Sequence, residues 1–524
     1  MAERAGPVTP RVALMGGLAA GAILLLVLGS ISAVALRAEA WNGLKPSDWA
    51  ALRFTLLQAV LSAAISVGLA IPVARALARR RFRGRGALIT LLGAPFILPV
   101  IVAVFGLLAV FGRSGMASQI LGWLGLPPLS IFGLHGVVLA HVFFNLPLAV
   151  RLILQGWMAV PAERFRLAAS LNFSGRDIAR HIAWPVLREV VPGALMTVFL
   201  ICTTSFAVAL TLGGGPRATT IELAIYQAFR FDFDLSRAAL LALLQVAVSG
   251  TAALIALRVA QPAEQGGGLD RIAARWDAST PTARTLDAVF LSLVALFLLA
   301  PLLSIVIRGL PGILGLPAPV FAAAGRSVLV ALTSTALTLA LALPLAVLAH
   351  GLRGRGGKAI EGLGYLTIAA SPLVIGTGLF IVIFPFANPV ALALPVTALV
   401  NAAMALPFAL RVLAPALAGV EDSYGRLADS LRLTGIARLR LLWLPRLRRP
   451  LGFAAGLAAA LSMGDLGVVA LFADPEGATL PLVLYRLMAA YRTGDAAAAA
   501  LLLLMLSLAA FWVFDRGGRM DADT

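Results

Sequence analysis

The sequence predicts an all-α integral membrane protein with about 12 transmembrane helices arranged as two parallel six-helix repeats. Hydrophobic residues make up 60% of the 524 residues, and charged residues only 13%, about half the charged share of a typical soluble protein. The apolar residues fall in long runs, as in chains that cross a bilayer repeatedly. A basic stretch, RLAASLNFSGRDIARHIAWPVLR at 166–188, returns without a gap as RLADSLRLTGIARLRLLWLPRLR at 426–448. The 260-residue offset indicates an internal duplication.

Twelve apolar runs are long enough to span a membrane, which takes about 20 residues in a helix. They lie at 14–36, 54–76, 88–112, 132–155, 189–212, 236–258, 286–308, 326–349, 360–386, 391–413, 450–473 and 495–515. The third run contains Pro95 and Pro99, and the ninth contains Pro372 and Pro385. Kinks are expected in both, because proline removes a helical hydrogen bond.

The basic residues predict the orientation. With both termini in the cytoplasm, 31 of the 42 Lys and Arg fall on the inner side, as the positive-inside rule requires. The net charge of +18 therefore reflects topology in a lipid bilayer, and no nucleic-acid partner is expected. Both copies of the repeated stretch are placed in the cytoplasm.

Both halves enter the membrane from the same side, so the repeat is parallel. Farther upstream, AIPVARALARRRFRGRG (70–86) matches ALPLAVLAHGLRGRGG (342–357) at an offset of 272. The first repeat is assigned to 1–258 and the second to 285–524. Between them, 259–284 has the Gly, Pro and polar content of a cytoplasmic linker.

The repeated stretch itself is polar and amphipathic. Ser174, with Asp177 three residues later, forms a capping-box pattern for a short helix; Ala437 stands at the acidic position of the second copy. The stretch could be an amphipathic loop on the membrane surface. The two copies align more closely than the helices around them, which favours a surface kept for a partner.

The two stretches resemble the cytoplasmic loop of ABC importer permeases, in which Glu-Ala-Ala precedes a Gly and a hydrophobic-Pro pair follows. The resemblance implies coupling loops at about 160–185 and 420–445 that dock on an ATPase. The residues at the motif positions are Arg166-Leu167-Ala168, Asn172 and Trp184-Pro185 in the first copy, and Arg426-Leu427-Ala428, Arg432 and Leu444-Pro445 in the second.

Neither copy has the family's Gly. Gly175 and Gly435 are expected to supply the turn instead, since Gly tolerates positive φ. Asn172 could also adopt that conformation, whereas for Arg432 it would cost energy.

Other stretches resemble bacterial thiamine (vitamin B1) ABC transporter permeases: HVFFNLPLAVRLILQ (141–155), LGGGPRATTIELAIYQA (212–228), MGDLGVVALF (463–472) and TLPLVLYRLMAAYR (479–492). The resemblance implies the type I ABC importer permease fold in the bacterial inner membrane. It further implies import of thiamine and its phosphate esters, a cytoplasmic ATPase pair and a periplasmic thiamine-binding protein.

No catalytic or cofactor site is expected on this chain. The nearest Walker-like string, GLRGRGGKA at 351–359, lacks the first Gly and the Ser or Thr after Lys358. ATP and Mg would therefore be used by a separate ATPase chain. The four histidines are scattered and Cys202 is alone, so no metal site is predicted.

Five residues are candidates for the substrate path: Asp465, Glu222, Tyr226, Tyr485 and Asn145. Asp465, an acid in the interior of the predicted helix at 450–473, suits a cationic substrate or a helix-packing role. Glu222 follows a Gly-Pro loop on the outer side, which favours a solvated loop acid over a residue of the path. Tyr226 and Tyr485 could be interfacial anchors or stacking walls, and Asn145 is more typical of a helix–helix hydrogen bond.

Two other functions stay open at this point. A fused ferric iron ABC permease would share the layout and the degenerate loop. An ion-coupled secondary transporter would usually need several buried acids or broken helices near mid-membrane.

Overall fold

The computed structural model of the chain describes residues 10–38, 43–213, 215, 218–259, 280–352, 354–474 and 476–519. Every regular element in this part of the chain is a helix, which confirms the predicted fold class. Most of the predicted linker lies outside the described residues, and the first helix after it begins at Pro281.

The first half contains twelve α-helices of very different length. They are α1 (Pro10–Arg37), α2 (Pro46–Arg79), α3 (Arg85–Leu91), α4 (Val100–Phe111), α5 (Met116–Trp123), α6 (Leu134–Ala159), α7 (Ala162–Ser170), α8 (Gly175–Ile178), α9 (Trp184–Thr203), α10 (Phe206–Leu212), α11 (Ile221–Arg230) and α12 (Leu235–Val259). A 3₁₀ turn at Ala94–Phe96 precedes α4, and a π-turn at Ala179–Ala183 joins α8 to α9.

The second half contains eleven α-helices in the same general order. They are α13 (Pro281–Gly309), α14 (Ala318–Leu352), α15 (Gly354–Ala370), α16 (Pro372–Ile383), α17 (Ala393–Ser430), α18 (Gly435–Arg438), α19 (Leu444–Arg446), α20 (Arg448–Met463), α21 (Gly467–Phe472), α22 (Leu480–Ala489) and α23 (Thr493–Arg519). A 3₁₀ helix at Leu310–Gly315 follows α13, and a π-turn at Leu439–Trp443 joins α18 to α19.

Eleven helical stretches of the described residues are long and apolar enough to cross a membrane, and the bent pair α15–α16 makes up to twelve. This is a multi-pass membrane protein. The prediction of kinks in the third and ninth runs is confirmed. The third breaks into α3, a 3₁₀ turn and α4, which begins just after Pro99. The ninth bends by 84° between α15 and α16, with Pro372 at the first position of α16.

Two other predicted spans are not continuous helices, and on this point the sequence prediction was wrong. The fifth run breaks between α9 and α10, and the eleventh between α20 and α21. At the first break the Thr203 hydroxyl donates to the Leu200 carbonyl oxygen at 2.8 Å. At the second, the Gly467 amide donates to Asp465 Oδ1 at 3.2 Å. Short polar side chains here bond to the local backbone and compete with continued helix.

The first helix of each half packs against the other half. Helix α1 lies on α14 and α16, while α13 lies on α2 and α4. Equivalent glycines allow both crossings: a Cβ on Gly106 would lie 2.8 Å from the Pro301 carbonyl oxygen, and one on Gly378 would lie 2.4 Å from the Ser30 carbonyl oxygen. Small residues permit such close approach between membrane helices. Helices α1 and α13, each packed against the opposite half, therefore link the two repeats.

Candidate coupling segments and substrate path

The repeated stretch folds alike in both halves. We define the first segment as residues 162–185 and the second segment as residues 422–445. Each consists of a helical end, a tight turn, one short α-turn and a π-turn that leads into the next membrane helix. The helical end is the separate helix α7 in the first segment, and the last turns of the long helix α17 in the second.

The tight turn has the Schellman hydrogen bonds that end many helices. The Phe173 amide donates to the Ala168 carbonyl oxygen at 3.0 Å, and the Leu433 amide donates to the Ala428 carbonyl oxygen at 2.9 Å. The residue that turns the chain is Asn172 (φ 55°) in one copy and Arg432 (φ 52°) in the other. These are the positions at which the importer family has Gly.

The expectation that Gly175 would supply the turn is wrong, because its φ is not positive. Gly435 does have a positive φ, of 53°, but it lies beyond the turn made by Arg432. The capping box is confirmed in the first segment, where the Asp177 amide donates to Ser174 Oγ at 3.3 Å and the Ser174 amide donates to Asp177 Oδ2 at 2.9 Å. Thr434 makes no such side-chain cap in the second segment.

An apolar cluster holds the first segment in place. Phe165 and Ala168 of α7 are buried, and so are Ile178 and Ile182 beyond the turn. Ile178 has no exposed surface. Hydrophobic burial therefore contributes to holding this turn against the rest of the chain.

In the second segment, where Ala428, Leu442 and Trp443 are buried, a charged cluster adds to the support. Glu421, just before the segment, accepts hydrogen bonds from the Arg438 guanidinium and the Trp443 indole N–H. Arg438 also pairs with Asp429 at 2.6 Å between Nη1 and Oδ1. Arg438 occupies the position equivalent to Ile178 in the first segment.

The outer faces of the two segments match despite these different supports. Leu167 and Leu427 are 61% and 57% exposed, and their neighbours Leu171 and Leu431 are equally prominent. Eight predicted coupling residues are also exposed or half-buried, namely Arg166, Asn172, Gly175, Pro185, Arg426, Arg432, Gly435 and Pro445. Ala168 and Ala428 point inward instead. Each repeat thus presents two leucines beside an arginine, a surface suited to a protein partner.

Asp465 lies at the break between α20 and α21, not inside a helix as the sequence suggested. Its Oδ1 accepts the Gly467 amide, while its buried Oδ2 has no hydrogen-bond partner among the described residues. Ser205 occupies the equivalent break in the first half. The two breaks face each other across the repeats, since Gly467 lies next to both Phe206 and Leu373.

Glu222 is fully buried in the first turn of α11, which excludes the solvated-loop interpretation. Both carboxylate oxygens are without a hydrogen-bond partner in the described part of the chain. The carboxylate lies near Ser371, at the bend between α15 and α16 in the other half. Ser371 has a φ of 55°, an unusual conformation for a residue other than glycine.

Tyr226 and Tyr485 stand on the equivalent outer helices α11 and α22. Each helix is anchored in the same way: the Ile221 amide donates to Thr55 Oγ1 at 2.9 Å, and the Leu480 amide donates to Ser327 Oγ at 2.8 Å. The Tyr226 ring packs edge-on against other aromatic rings, and the two phenols are close enough to interact electrostatically. Each half therefore places one tyrosine on an equivalent helix.

Asn145 makes helix-packing contacts. Its amide nitrogen donates to the His141 carbonyl oxygen at 2.9 Å and contacts Cys202 Sγ at 3.4 Å. A similar link joins Asn401 Nδ2 to Ser462 Oγ at 3.0 Å in the second half. Within the described residues, no group of three or more His, Cys, Asp or Glu could hold a metal ion.

Comparison with known proteins identifies the family. The chain is 39% identical to the thiamine transport system permease protein ThiP of Brucella abortus, over 98% of this chain and 96% of the relative. It is also 39% identical to ThiP of Escherichia coli, over 98% of each chain. The chain belongs to the thiamine transport permease family. No family model matches it.

A more distant relative of this thiamine permease family member is the molybdenum transport system permease protein ModB of Azotobacter vinelandii. It is 31% identical over 35% of this chain, a stretch that makes up 80% of ModB. About a third of this chain therefore corresponds to most of the ModB permease. That proportion fits a protein made of two repeats.

Sequence reasoning about this thiamine permease family member missed two groups of residues. One is the charged support of the second segment, Glu421 and Arg438, which lie 17 residues apart. The signal was available in the alignment of the two copies, because Glu421 and Arg438 stand where the first copy has Pro161 and Ile178. The other is Ser371, for which proximity to Glu222 depends entirely on the packing of the two halves.

Proposed function

We propose that the chain is the membrane-spanning permease of an ATP-driven importer that carries thiamine across the bacterial inner membrane. The single observation that carries the ATP-driven part is the pair of matched outward faces, one in each repeat. Two equivalent faces on one chain fit a pair of ATPase subunits. The thiamine relatives support the cargo.

ATP and Mg would be bound by the partner ATPases. Closure of the ATPase pair would then pull the two segments together and rock one repeat against the other. In this proposal both chain termini and both segments lie in the cytoplasm. Arg166 and Arg426 are exposed, so the ATPase surfaces that receive them should be acidic.

The substrate would arrive from a periplasmic thiamine-binding protein and pass between the repeats. Thiamine is a cation with two aromatic rings. The phenols of Tyr226 and Tyr485 could stack on those rings. The carboxylates of Glu222 and Asp465 have buried oxygens without a hydrogen-bond partner among the described residues, and they could face the positive charge.

Phosphate esters of thiamine belong to the same proposal. Arg230 and Arg486 stand in the last turns of α11 and α22, the helices that carry the two tyrosines, and their like charges interact. Two arginines at one place form a natural phosphate site. Replacing both with glutamine should weaken uptake of thiamine monophosphate more than uptake of thiamine.

Reconstitution tests the proposal. The chain would be placed in liposomes with its ATPase and binding protein, and uptake of labelled thiamine would be measured with ATP, without ATP and with a non-hydrolysable analogue. Uptake only with hydrolysable ATP is expected. Uptake that persists without ATPase and follows an ion gradient would favour a secondary transporter, and a binding protein that takes ferric iron but not thiamine would overturn the cargo.

A further inference from the structure

A groove of about 980 Å³ lies between α3 and α13, outside the path between the repeats. It is found where α2 ends, at the end of the membrane helices that the Lys and Arg distribution assigns to the cytoplasm. Helix α13 belongs to the second repeat, whereas α2 and α3 belong to the first. The groove therefore marks the place where one repeat crosses the other.

The inner floor of the groove is an ion-pair cluster between the repeats. Asp287 of α13 accepts hydrogen bonds from Arg79 Nε at 2.9 Å and from Arg80 Nε at 2.6 Å. The Asp287 side chain is only 6% exposed. These bonds hold α13 at a fixed place beside the end of α2.

Two more arginines stand over this floor. Arg81 and Arg284 line the groove, are exposed, and have no ion-pair partner among the described residues. Arg81 and Arg284 therefore add two positive charges to the groove beside the ion pairs of Asp287. This end of the groove attracts an anion.

The rest of the groove is apolar. Leu88 and Leu91 of α3 form one wall, and Leu291, Ala295 and Leu299 of α13 form the other. From Arg284 to Leu299 the helix rises about 22 Å at 1.5 Å per residue. Leu299 is 40% exposed, on a helix that spans the membrane, so the apolar end opens toward the bilayer.

At the other helix crossing, the described residues form no ion pair between α1 and α14. Where α1 crosses α14, a Cβ on Gly16 would lie 2.6 Å from Leu348 Cβ. That contact is tight and uncharged. Among the described residues, the ion-pair floor thus belongs to the α13 crossing.

We propose that this groove binds one anionic phospholipid from the inner leaflet. The phosphate of the headgroup would pair with Arg81 and Arg284, and one acyl chain would lie along the leucines of α3 and α13. Basic pockets between membrane helices on the cytoplasmic side are typical sites for such lipids. The walls of the groove come from both repeats, so the bound lipid would stabilise the packing of α13 against the first repeat. This role does not depend on which cargo the protein carries.

The test uses the full chain in vesicles of phosphatidylglycerol and phosphatidylcholine in equal parts. After extraction in mild detergent, native mass spectrometry would count the lipids retained per permease. Wild type should retain one phosphatidylglycerol in preference to phosphatidylcholine. The double variant Arg81→Gln/Arg284→Gln should reduce that retention about 30-fold, since each arginine contributes about fivefold.

The matched control is Arg83→Gln, because Arg83 is exposed nearby but does not line the groove. It should retain lipid as wild type does. Ala295→Trp keeps the arginines and fills the apolar end, and it should also release the lipid. Thermal unfolding of each variant shows that it is folded.

Four results would overturn the proposal. They are equal retention of both lipids by wild type, unchanged retention in the double arginine variant, unchanged retention in Ala295→Trp, and displacement of the lipid by millimolar inorganic phosphate. The last two would indicate a site for a free anion instead of a phospholipid.

Discussion

The two repeated segments present the same outer face but are supported in opposite ways. Pro161 ends α6 before the first segment, whereas Glu421 at the equivalent position lets α17 continue into the second. Behind the turn, Ile178 is buried in an apolar cluster and its counterpart Arg438 is bound to Glu421. The shared Schellman turn fixes the outer shape, and the support behind it is free to differ.

The difference teaches that the outer face is set by local backbone geometry, and the stability of each segment by what lies behind it. An apolar cluster loses stability when volume is removed. An ion-pair cluster loses stability when one partner is removed, and it responds to salt. Substitutions in equivalent places should therefore have different signatures in the two segments.

The largest effect is expected from Leu167→Asp and Leu427→Asp, which place a charge on each outer face. Both side chains are mostly exposed, so the permease should fold normally. In the complex the ATPase would cover each leucine, so loss of that contact should weaken ATPase binding about 10- to 100-fold per segment. Co-purification of the ATPase and thiamine uptake would measure it, with Leu→Met at each position as control. A double Asp variant that still binds the ATPase would contradict the coupling role.

The next effect concerns the apolar support. Ile178→Ala should destabilise the first segment by about 3 kcal/mol, because it opens a cavity at a fully buried site. Hydrogen exchange of the isolated permease should become about 100-fold faster at residues 165–182.

The matched control for this change is Ile436→Ala in the second segment, where the isoleucine is 68% exposed. It should leave exchange nearly unchanged. Equal acceleration by both changes would mean that burial does not distinguish the two segments.

The charged support should give a smaller effect that depends on salt. Glu421→Gln removes the carboxylate that Arg438 and Trp443 share, and it should cost about 1–2 kcal/mol, since the cluster is partly exposed. In wild type, raising salt should speed exchange in the second segment and not in the first.

The exposed neighbour Asp422 provides the control. Asp422→Asn removes one negative charge at the next position and should change neither stability nor salt response. If Glu421→Gln kept the wild-type salt dependence, the ion-pair explanation would fail.

The smallest effect is expected at the turn itself. Arg432→Gly relieves a left-handed arginine and should stabilise the second segment by about 0.5 kcal/mol, after the entropy cost of glycine in the unfolded chain. Asn172→Gly should be nearly neutral, because asparagine tolerates this conformation. Hydrogen exchange at residues 428–433 and 168–173 would measure both changes in stability. Faster exchange in Arg432→Gly would contradict backbone strain at Arg432.

Much of the fold could be predicted because the signals are local. Length and hydropathy located the spans, Pro99 and Pro372 located two breaks, and Ser174 with Asp177 located a capped helix. The breaks beside Thr203 and Asp465 were missed, because their sequences are as apolar as an unbroken span. Asp465 consequently moved from the interior of a helix to a break at the interface of the repeats.

The candidate site divides along the same line. Alignment of the two halves was enough to locate the segments and the residues that match the coupling motif. It could not show that Ala168 and Ala428 face inward while Leu167 and Leu427 face outward. Which residues of a short helix face inward depends on the surface that the helix packs against.

By itself the sequence determined the membrane class, the duplication and the two exposed segments, because hydropathy and repetition are written along the chain. Only the tertiary structure decided that α1 and α13 each pack against the opposite half of the chain. It also decided that Arg79 pairs with Asp287, which is 208 residues away in the sequence, and that Glu222 lies near Ser371. The physical reason is that apolar helices in a bilayer have nearly equal affinity for lipid and for one another. Which faces meet then depends on close packing and on a few polar groups, and neither can be read from hydropathy.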